Sequence, residues 1–274
     1  MKNYNKLTDA DKEQVVQLYY ENKTKTIKEI AHILQFSERS VSRVLQEIGI
    51  NTRLKNRYVI KNENYFNKID TEFKAYILGF IYADGYVGNH NDFCIALSDK
   101  CKDNYKILDI FRNELKTELR VNHTIDKNGY GHYVFKFSNE KIVSQLNKLG
   151  VFPCKSLLLE DLPNIPQEMF YHFIRGYFDG DGSIFTYYDS YDKRERYCME
   201  ILGTPNFLMK MQRIIEIECQ IKMPKLHNVN RVHNLTRISC KGVKKLIVIR
   251  DYLYKDAHYY LTYKHDRFYN LQSL

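Results

Sequence analysis

Apolar residues in the first fifty positions recur at helical spacing, in three short runs separated by polar turns. Val41, Val44, Leu45 and Ile48 keep the three-and-four rhythm of one helix face, and Ser37 stands just before them, where its hydroxyl can cap a free N–H. Two earlier helix starts are marked by "TDAD" from Thr8 and "TIKE" from Thr26, where a threonine and a later carboxylate each satisfy a first-turn donor. Ile27, Ile30, Ala31, Leu34, Phe36, Val41 and Val44 form the inward set of the resulting unit. Small Ala31 permits a close crossing of the last two helices, so the pattern predicts a helix-turn-helix over residues 1–50. A small helical bundle that binds protein is the alternative. Such turns usually hold glycine; Gln35 stands there instead and is expected to carry some backbone strain. The outward side of the third helix offers Arg39, Ser40, Ser42, Arg43 and Gln46 as candidate DNA contacts.

The rhythm then breaks. Residues 51–64 are polar and basic without sustained periodicity, which reads as a linker whose Arg53, Lys55 and Arg57 could follow a phosphate backbone. Beyond it the pattern repeats. After Asp84 come a strand-like "DFCIAL", a helical "DNYKILDIFRNEL", a strand-like "HYVFKFS" and a helical "NEKIVSQLNKLG". After Asp181 come "RYCMEIL", "TPNFLMKMQRIIEIE", "LTRISC" and "KGVKKLIVIRDYLY" in the same order, with Thr204 as candidate cap and Pro205 in the first helical turn. The expectation is an α+β fold of two related halves, 65–160 and 161–274, each too small to cover its sheet alone and sharing an interface at the segments that open them.

Those opening segments are "LGFIYADGYVG" (Leu78 to Gly88) and "IRGYFDGDGSI" (Ile174 to Ile184). Read as helices, they place small residues one turn apart, Gly79 with Ala83 and Gly176 with Gly180, which lets two helix backbones approach closely. Gly85 and Gly182 suit the left-handed residue that ends a helix. Asp84 and Asp181 then fall in last turns, where the helix dipole already disfavours a carboxylate. Two such acids brought together repel, and a divalent cation in the gap reverses the sign of that interaction. The pair therefore points to a hard, oxygen-ligated ion such as Mg²⁺. Asp179 faces Tyr82 in the repeat and is expected to stand outside the pair.

Composition narrows the partner. Lys and Arg outnumber Asp and Glu by 42 to 33, for a formal charge of +9, which favours a polyanion: nucleic acid first, an anionic membrane surface second. No apolar run approaches the ~20 residues of a membrane span, and the first residues lack the apolar core of a secretion signal, so a cytoplasmic protein of a bacterial or phage-infected cell, or of an organelle, is expected. The six cysteines are scattered, with no C-x-x-C pair to nominate zinc.

The two motifs, with their spacing and matching downstream elements, resemble those of the LAGLIDADG homing endonucleases in their single-chain, two-motif form, over roughly Tyr65 to Leu271. The resemblance implies αββαββα halves whose motif helices pack across a pseudo-twofold axis, and two sheets forming a saddle on double-stranded DNA. It implies a monomer holding two or more Mg²⁺ ions, replaceable by Mn²⁺, with Asp84 and Asp181 as ligands helped by the carbonyls of Ala83 and Gly180. Lys155 and Lys264 would polarise solvent or stabilise phosphoryl charge, and Tyr263 stands where a basic residue is common. Asp99 resembles a water-positioning residue, with Gly203 in the corresponding place of the second half. Tyr187, Lys193, Arg194, Arg196, Lys222, Lys225, Arg231 and Arg237 are candidates to touch DNA. The implied activity is site-specific, Mg²⁺-dependent double-strand cleavage with staggered ends by an intron-encoded or free-standing enzyme. A related DNA-binding regulator without the chemistry, and a maturase acting on intron RNA, are the alternatives.

Overall fold

The N–H of Glu29 donates to Thr26 Oγ1 at 3.1 Å while the Glu29 carboxylate accepts the N–H of Thr26 at 2.7 Å, so "TIKE" closes the reciprocal cap its spacing predicts. Thr8 and Asp11 make the same exchange at 3.2 and 2.9 Å, and Ser37 Oγ accepts from Ser40 N–H at 3.1 Å. These caps open α1 (Asp9–Glu21), α2 (Ile27–Leu34) and α3 (Glu38–Glu47). Gln35 takes the left-handed conformation between the last two, with φ 57°, the strain expected of a non-glycine there. Val15, Ile30, Ala31, Phe36, Val41, Val44 and Leu45 are buried together, with Ile27 and Leu34 at the margin.

The computed structural model describes residues 2–21, 26–50, 59–191, 193–230 and 234–271. The chain divides into one unit of Met1–Lys61 with Lys116–Leu119, and a second of Asn62–Leu115 with Arg120–Leu274. Arg53, Lys55 and Arg57 of the expected linker, and Arg231, lie outside the described residues. No helix among the described residues is long and apolar enough to cross a membrane.

The second unit repeats one order of elements. Its first half runs α4 (Glu72–Asp84), β1 (Gly85–Val87), β2 (Asp92–Ser98), α5 (Lys102–Glu114), β3 (Asn122–Ile125), β4 (Gly131–Ser138) and α6 (Glu140–Lys148), followed by the short α7 (Lys155–Leu158). The second runs α8 (Phe170–Asp181), β5 (Gly182–Asp189), β6 (Arg194–Gly203), α9 (Pro205–Cys219), β7 (His227–Asn230), β8 (Leu235–Lys241) and α10 (Val243–Tyr254), followed by α11 (Thr262–Tyr269). Two antiparallel sheets result, ordered β1-β2-β4-β3 and β5-β6-β8-β7. The α+β class and the repeated αββαββα order are those expected. One face of each sheet is covered by helices: Phe93, Phe135 and Phe137 meet Phe111 of α5 or each other, while α9 and α10 lie against β8. β3 carries no buried position, which is why alternation alone does not reveal it.

The halves meet where α4 crosses α8. A Cβ added to Gly79 would sit 2.0 Å from the carbonyl oxygen of Phe173, and one on Gly176 would sit 1.9 Å from that of Tyr76. Backbone faces backbone at both points, so no side chain can move aside to make room. At the next turn a Cβ on Gly180 would meet that of Ala83 at 2.2 Å. Two local expectations are corrected. Gly85 and Gly182 are extended, with φ −77° and −96°, because each helix runs straight into its strand. Glycine is required there by space, since an added Cβ would lie 2.7 Å from Ile81 or 2.1 Å from the Phe178 ring. Thr204 occupies the N-cap position of α9, but its hydroxyl donates to the Leu159 carbonyl and caps nothing.

Gly79→Ala or Gly176→Ala should therefore force the helices apart and cost about 3 kcal/mol. Gly129→Ala, at φ 84° with nothing near its Cβ, should cost about 1 kcal/mol. Urea denaturation of the three variants measures the difference.

Candidate active site

Asp84 and Asp181 are the last residues of α4 and α8, and the crossing carries them to one place. A Cβ on Gly180, the neighbour of Asp181, would come within 2.9 Å of Asp84 Oδ2. Both helices end here, so carbonyls that lack the usual partner one turn on and the negative ends of two dipoles surround the acids. Burial, and then the charge of Asp181, push the Asp84 carboxyl up to about 6 against the pull of Lys264 and Lys155. Burial also raises Asp181, opposed by Lys155, by the nearby Tyr177 hydroxyl and by Lys264.

The two lysines answer those helix ends, one each. Lys155 begins α7, after Cys154 in a left-handed conformation (φ 61°), and its Nζ donates to the Ala83 carbonyl at 3.2 Å. Lys264 of α11 donates to the carbonyls of Phe178 at 2.8 Å, Asp179 at 2.6 Å and Gly180 at 3.4 Å. Each is 4% exposed. Burial lowers the Lys155 amine to about 8 although Asp181 and Asp84 pull it upward. Lys264 is lowered for the same reason, against Asp179, Asp84, Asp181 and Cys101.

This donor set fits a hard divalent ion. It consists of oxygen alone: two carboxylates raised in proton affinity by burial, Asp84 also by the charge of Asp181, and the carbonyls of Ala83 and Gly180. Among the described residues no cluster of three or more His, Cys, Asp and Glu is arranged to hold a metal, and Mg²⁺ needs none, because it binds through one or two carboxylates and keeps water and phosphate oxygens.

Other expected residues fall elsewhere. Gly85 pairs with Ile95, so Asp84 stands level with Ala96, and Asp99 lies three residues beyond, about 10 Å along the strand. Its Oδ2 is 2.8 Å from His123 Nε2. Gly182 pairs with Ile201, so Gly203 corresponds to Leu97 and Pro205 to Asp99; the expected match of Asp99 with Gly203 is off by two residues. Ser40 is buried, its hydroxyl 2.7 Å from that of Ser37, because it lies on the Val41–Val44 side of α3, and it is withdrawn as a DNA contact. Arg39, Arg43 and Gln46 are exposed and Ser42 is half-buried; the Arg43 guanidinium lies 4.1 Å over the Tyr4 ring. On the second sheet, Lys241 sits 4.5 Å over the ring of Tyr187, Arg196 pairs with Asp189 at 2.9 Å and Arg237 with Glu200 at 3.2 Å. Lys193, Arg194, Lys222 and Lys225 are exposed.

Arg175 was not foreseen, and Asp179, expected to stand outside the acid pair, has partners of its own. Arg175 is fully buried, donating to Glu72 Oε1 at 2.7 Å and to the carbonyls of Leu253 at 2.7 Å and Tyr259 at 2.8 Å. Burial pushes Glu72 up, but hydrogen bonds from His258 and the charge of Arg175 outweigh it and hold the carboxyl below its usual range. The signal was present as an arginine inside the apolar run "HFIRGYF". Asp179 is also buried, accepting from the Tyr76 hydroxyl at 2.7 Å and the Leu261 N–H at 2.8 Å.

No family model and no curated protein matches the chain. Solved structures similar to it include the LAGLIDADG homing endonuclease I-GzeII in complex with its DNA target, at 13% identity and a TM-score of 0.48, covering 72% of this chain and 87% of that one. The meganuclease I-SmaMI bound to uncleaveable DNA is similar at 10% identity and a TM-score of 0.48, over 72% and 88% of the two chains. The N-terminal LAGLIDADG domain of DUF199/WhiA is similar at 15% and 0.44, over 70% and 88%.

The raised acids set a pH dependence. A carboxyl whose folded-state value exceeds its unfolded one contributes stability that is complete below the unfolded value of about 4 and is lost as pH rises through the folded value, here about 6 for Asp84. In EDTA, the melting temperature should rise between pH 7 and pH 5. Asp84→Asn should flatten that rise and stabilise the protein at pH 7, where added Mg²⁺ should stabilise the native protein but not the variant. Indistinguishable melting curves would remove the metal site.

Proposed function

We propose that this chain is a site-specific, Mg²⁺-dependent double-strand DNA endonuclease of the homing type, which leaves staggered ends and carries a helix-turn-helix that extends its hold on DNA. The observation that supports this reading most is the meeting of two carboxylates and two buried lysines at the paired C-terminal ends of α4 and α8. A structural core gains nothing from acids at negative helix ends, whereas a polyanionic substrate with its counter-ions needs both charges there. Asp84 and Asp181 would hold the ion, with the carbonyls of Ala83 and Gly180 completing the protein's share. When bound, such an ion supplies a nucleophilic water at neutral pH and stabilises the leaving oxygen.

The chain's own residues do the rest. Lys155, with one bond to the Ala83 carbonyl, presents further N–H donors beside the acids, where a phosphoryl oxygen gaining charge can accept them, while Lys264, whose N–H groups meet the carbonyls of Phe178, Asp179 and Gly180, contributes its positive charge. With its value near 8, Lys155 can also exchange a proton with water close to neutral pH. The low exposure of both amines keeps bulk water from competing for them. Elsewhere in the second half, Tyr187, Lys193, Arg194, Arg196, Lys222, Lys225 and Arg237 offer cationic and aromatic contacts for the backbone and for base edges. In the N-terminal unit, Arg39, Ser42, Arg43 and Gln46 share the outward side of α3, the helix that enters the major groove in this motif.

DNA spanning an uninterrupted insertion site from the gene's neighbourhood should be cut with a stagger in Mg²⁺ and left intact in EDTA. Asp84→Asn or Asp181→Asn should slow double-strand cleavage on the order of 10³-fold while changing affinity less than about threefold. Tight binding with no cleavage of any such target would return the chain to a DNA-binding regulator. Replacing Arg39 and Gln46 together with alanine should shorten the footprint at one end and lower the salt dependence of binding by about one unit; an unchanged footprint and slope would sever the N-terminal unit from DNA reading.

A further inference from the structure

Lys264 has a seat that Lys155 lacks. The helix that carries it, α11, begins at Thr262 without a side-chain cap from its own N-cap residue, Leu261. Two carboxylates from other elements take that place. Asp179 Oδ2 accepts the N–H of Leu261 at 2.8 Å, and Asp103 Oδ2, from the first turn of α5, accepts the N–H of Thr262 at 2.9 Å. The main-chain oxygen of Asp179 also accepts Lys264 Nζ at 2.6 Å. One residue thus grips the helix start with its carboxylate and the lysine tip with its carbonyl. The hydroxyl of Tyr76, from α4, fixes the same Oδ2 at 2.7 Å.

The cost of this arrangement argues that it does something. Asp179 is 2% exposed in the last turn of a helix, and among the described residues its Oδ1 has no hydrogen-bond partner. A buried acid at a negative helix end with an unsatisfied oxygen is unfavourable, and an uncharged residue would fill the space with less penalty. The first half does this: counted from Asp84, Tyr82 stands where Asp179 stands relative to Asp181, and its hydroxyl donates to the Leu149 carbonyl. Correspondingly, α7 is four residues long, and Lys155 Nζ makes one hydrogen bond, to Ala83, among the described residues.

We propose that Asp179 is a positioning residue, seconded by Asp103, which fixes α11 so that Lys264 Nζ lies at the end of α8 before DNA arrives, and that it serves the cut of one strand only. This rests on the endonuclease reading above. The reaction step it governs is the one that uses Lys264; the one that uses Lys155 proceeds without it.

The test follows each strand separately on doubly end-labelled target DNA, together with hydrogen exchange of the metal-free protein. Asp179→Ala should slow one strand by roughly tenfold to a hundredfold, so that a nicked intermediate accumulates, and should accelerate exchange at Leu261 and Thr262. Asp179→Asn keeps an acceptor oxygen and should restore both towards the native pattern. If Asp179→Ala does not fold, Asp103→Ala, which frees only the Thr262 N–H, should slow the same strand and accelerate exchange at Thr262. Equal slowing of both strands, or native cleavage with unchanged exchange in the alanine variants, would overturn the proposal. Should the native protein cut neither strand, the endonuclease reading fails. Exchange then decides the seat alone: unaltered protection of Leu261 and Thr262 in the alanine variants overturns it, and faster exchange upholds the anchoring of α11.

Discussion

Everything in the second unit depends on how closely α4 and α8 touch. Side chains ordinarily hold helix axes 8–10 Å apart, yet at Gly79 and Gly176 the carbonyl of one backbone occupies the space a Cβ of the other would need. Three consequences follow from that contact. The ends of both helices are forced together, so the residues that finish them, Asp84 and Asp181, cannot avoid each other. The strands β1 and β5 start at those same ends, which sets both sheets from one point. And because the contact is backbone to backbone, it tolerates no repacking; a larger residue has nowhere to go.

The acids this contact brings together would repel in an empty cleft, and the lysines temper that repulsion without abolishing it. Each ammonium is tethered to the carbonyls of a helix end, Lys155 to α4 and Lys264 to α8, where the dipole favours a cation. They offset only part of what burial and the charge of Asp181 impose, and the Asp84 carboxyl is still pushed up to about 6. The result is a cluster of two acids, two amines and the carbonyls of two helix ends, which is what the proposed hard cation would meet. The opposite end of α4 is settled by simpler means. Glu72, in its first turn, sits where a helix favours an acid, and Arg175 meets it with two further backbone bonds. A buried guanidinium with a partner at each of its nitrogens can hold a helix pair in register.

What the sequence reveals of this follows from how local each cause is. Caps are local: Thr26 with Glu29 and Ser37 with Ser40 are legible because donor and acceptor lie three residues apart. The small-residue steps and the terminal acids are legible because helical periodicity alone puts them on one face. The errors lie where the deciding neighbour is distant. Gly85 and Gly182 look like left-handed stops until the adjoining strands show that the chain continues extended. Ser40, one turn before Val44, stands at the flank of its helix, and Lys2, remote in sequence, closes that flank with its carbonyl 3.4 Å from the Ser40 hydroxyl. Asp99 and Gly203 follow their motifs at similar places in the string, and the strand pairing sets them two residues out of step. Arg175 and Asp179 are visible as charges in apolar helices, but their partners Glu72, Tyr76 and Leu261 lie more than eighty residues away.

Those last two residues also mark where the repeat is broken. In the first half their positions hold Leu78 and Tyr82, ordinary buried side chains; in the second they hold a guanidinium and a carboxylate, each tied to an element of the other half or to the segment that leads into α11. A symmetric pair of halves would need only the apolar version, since the glycine contact already joins them. The polar version adds direction: Arg175 fixes the segment around Leu253 and Tyr259, and Asp179 fixes the start of the helix two residues later. Both act on the path from α10 to Lys264. The duplicated fold thus keeps its acids equivalent while it holds its lysines differently, and under the proposed endonuclease function it is in the lysines, more than in the acids, that the two strands of a substrate would meet unequal machinery.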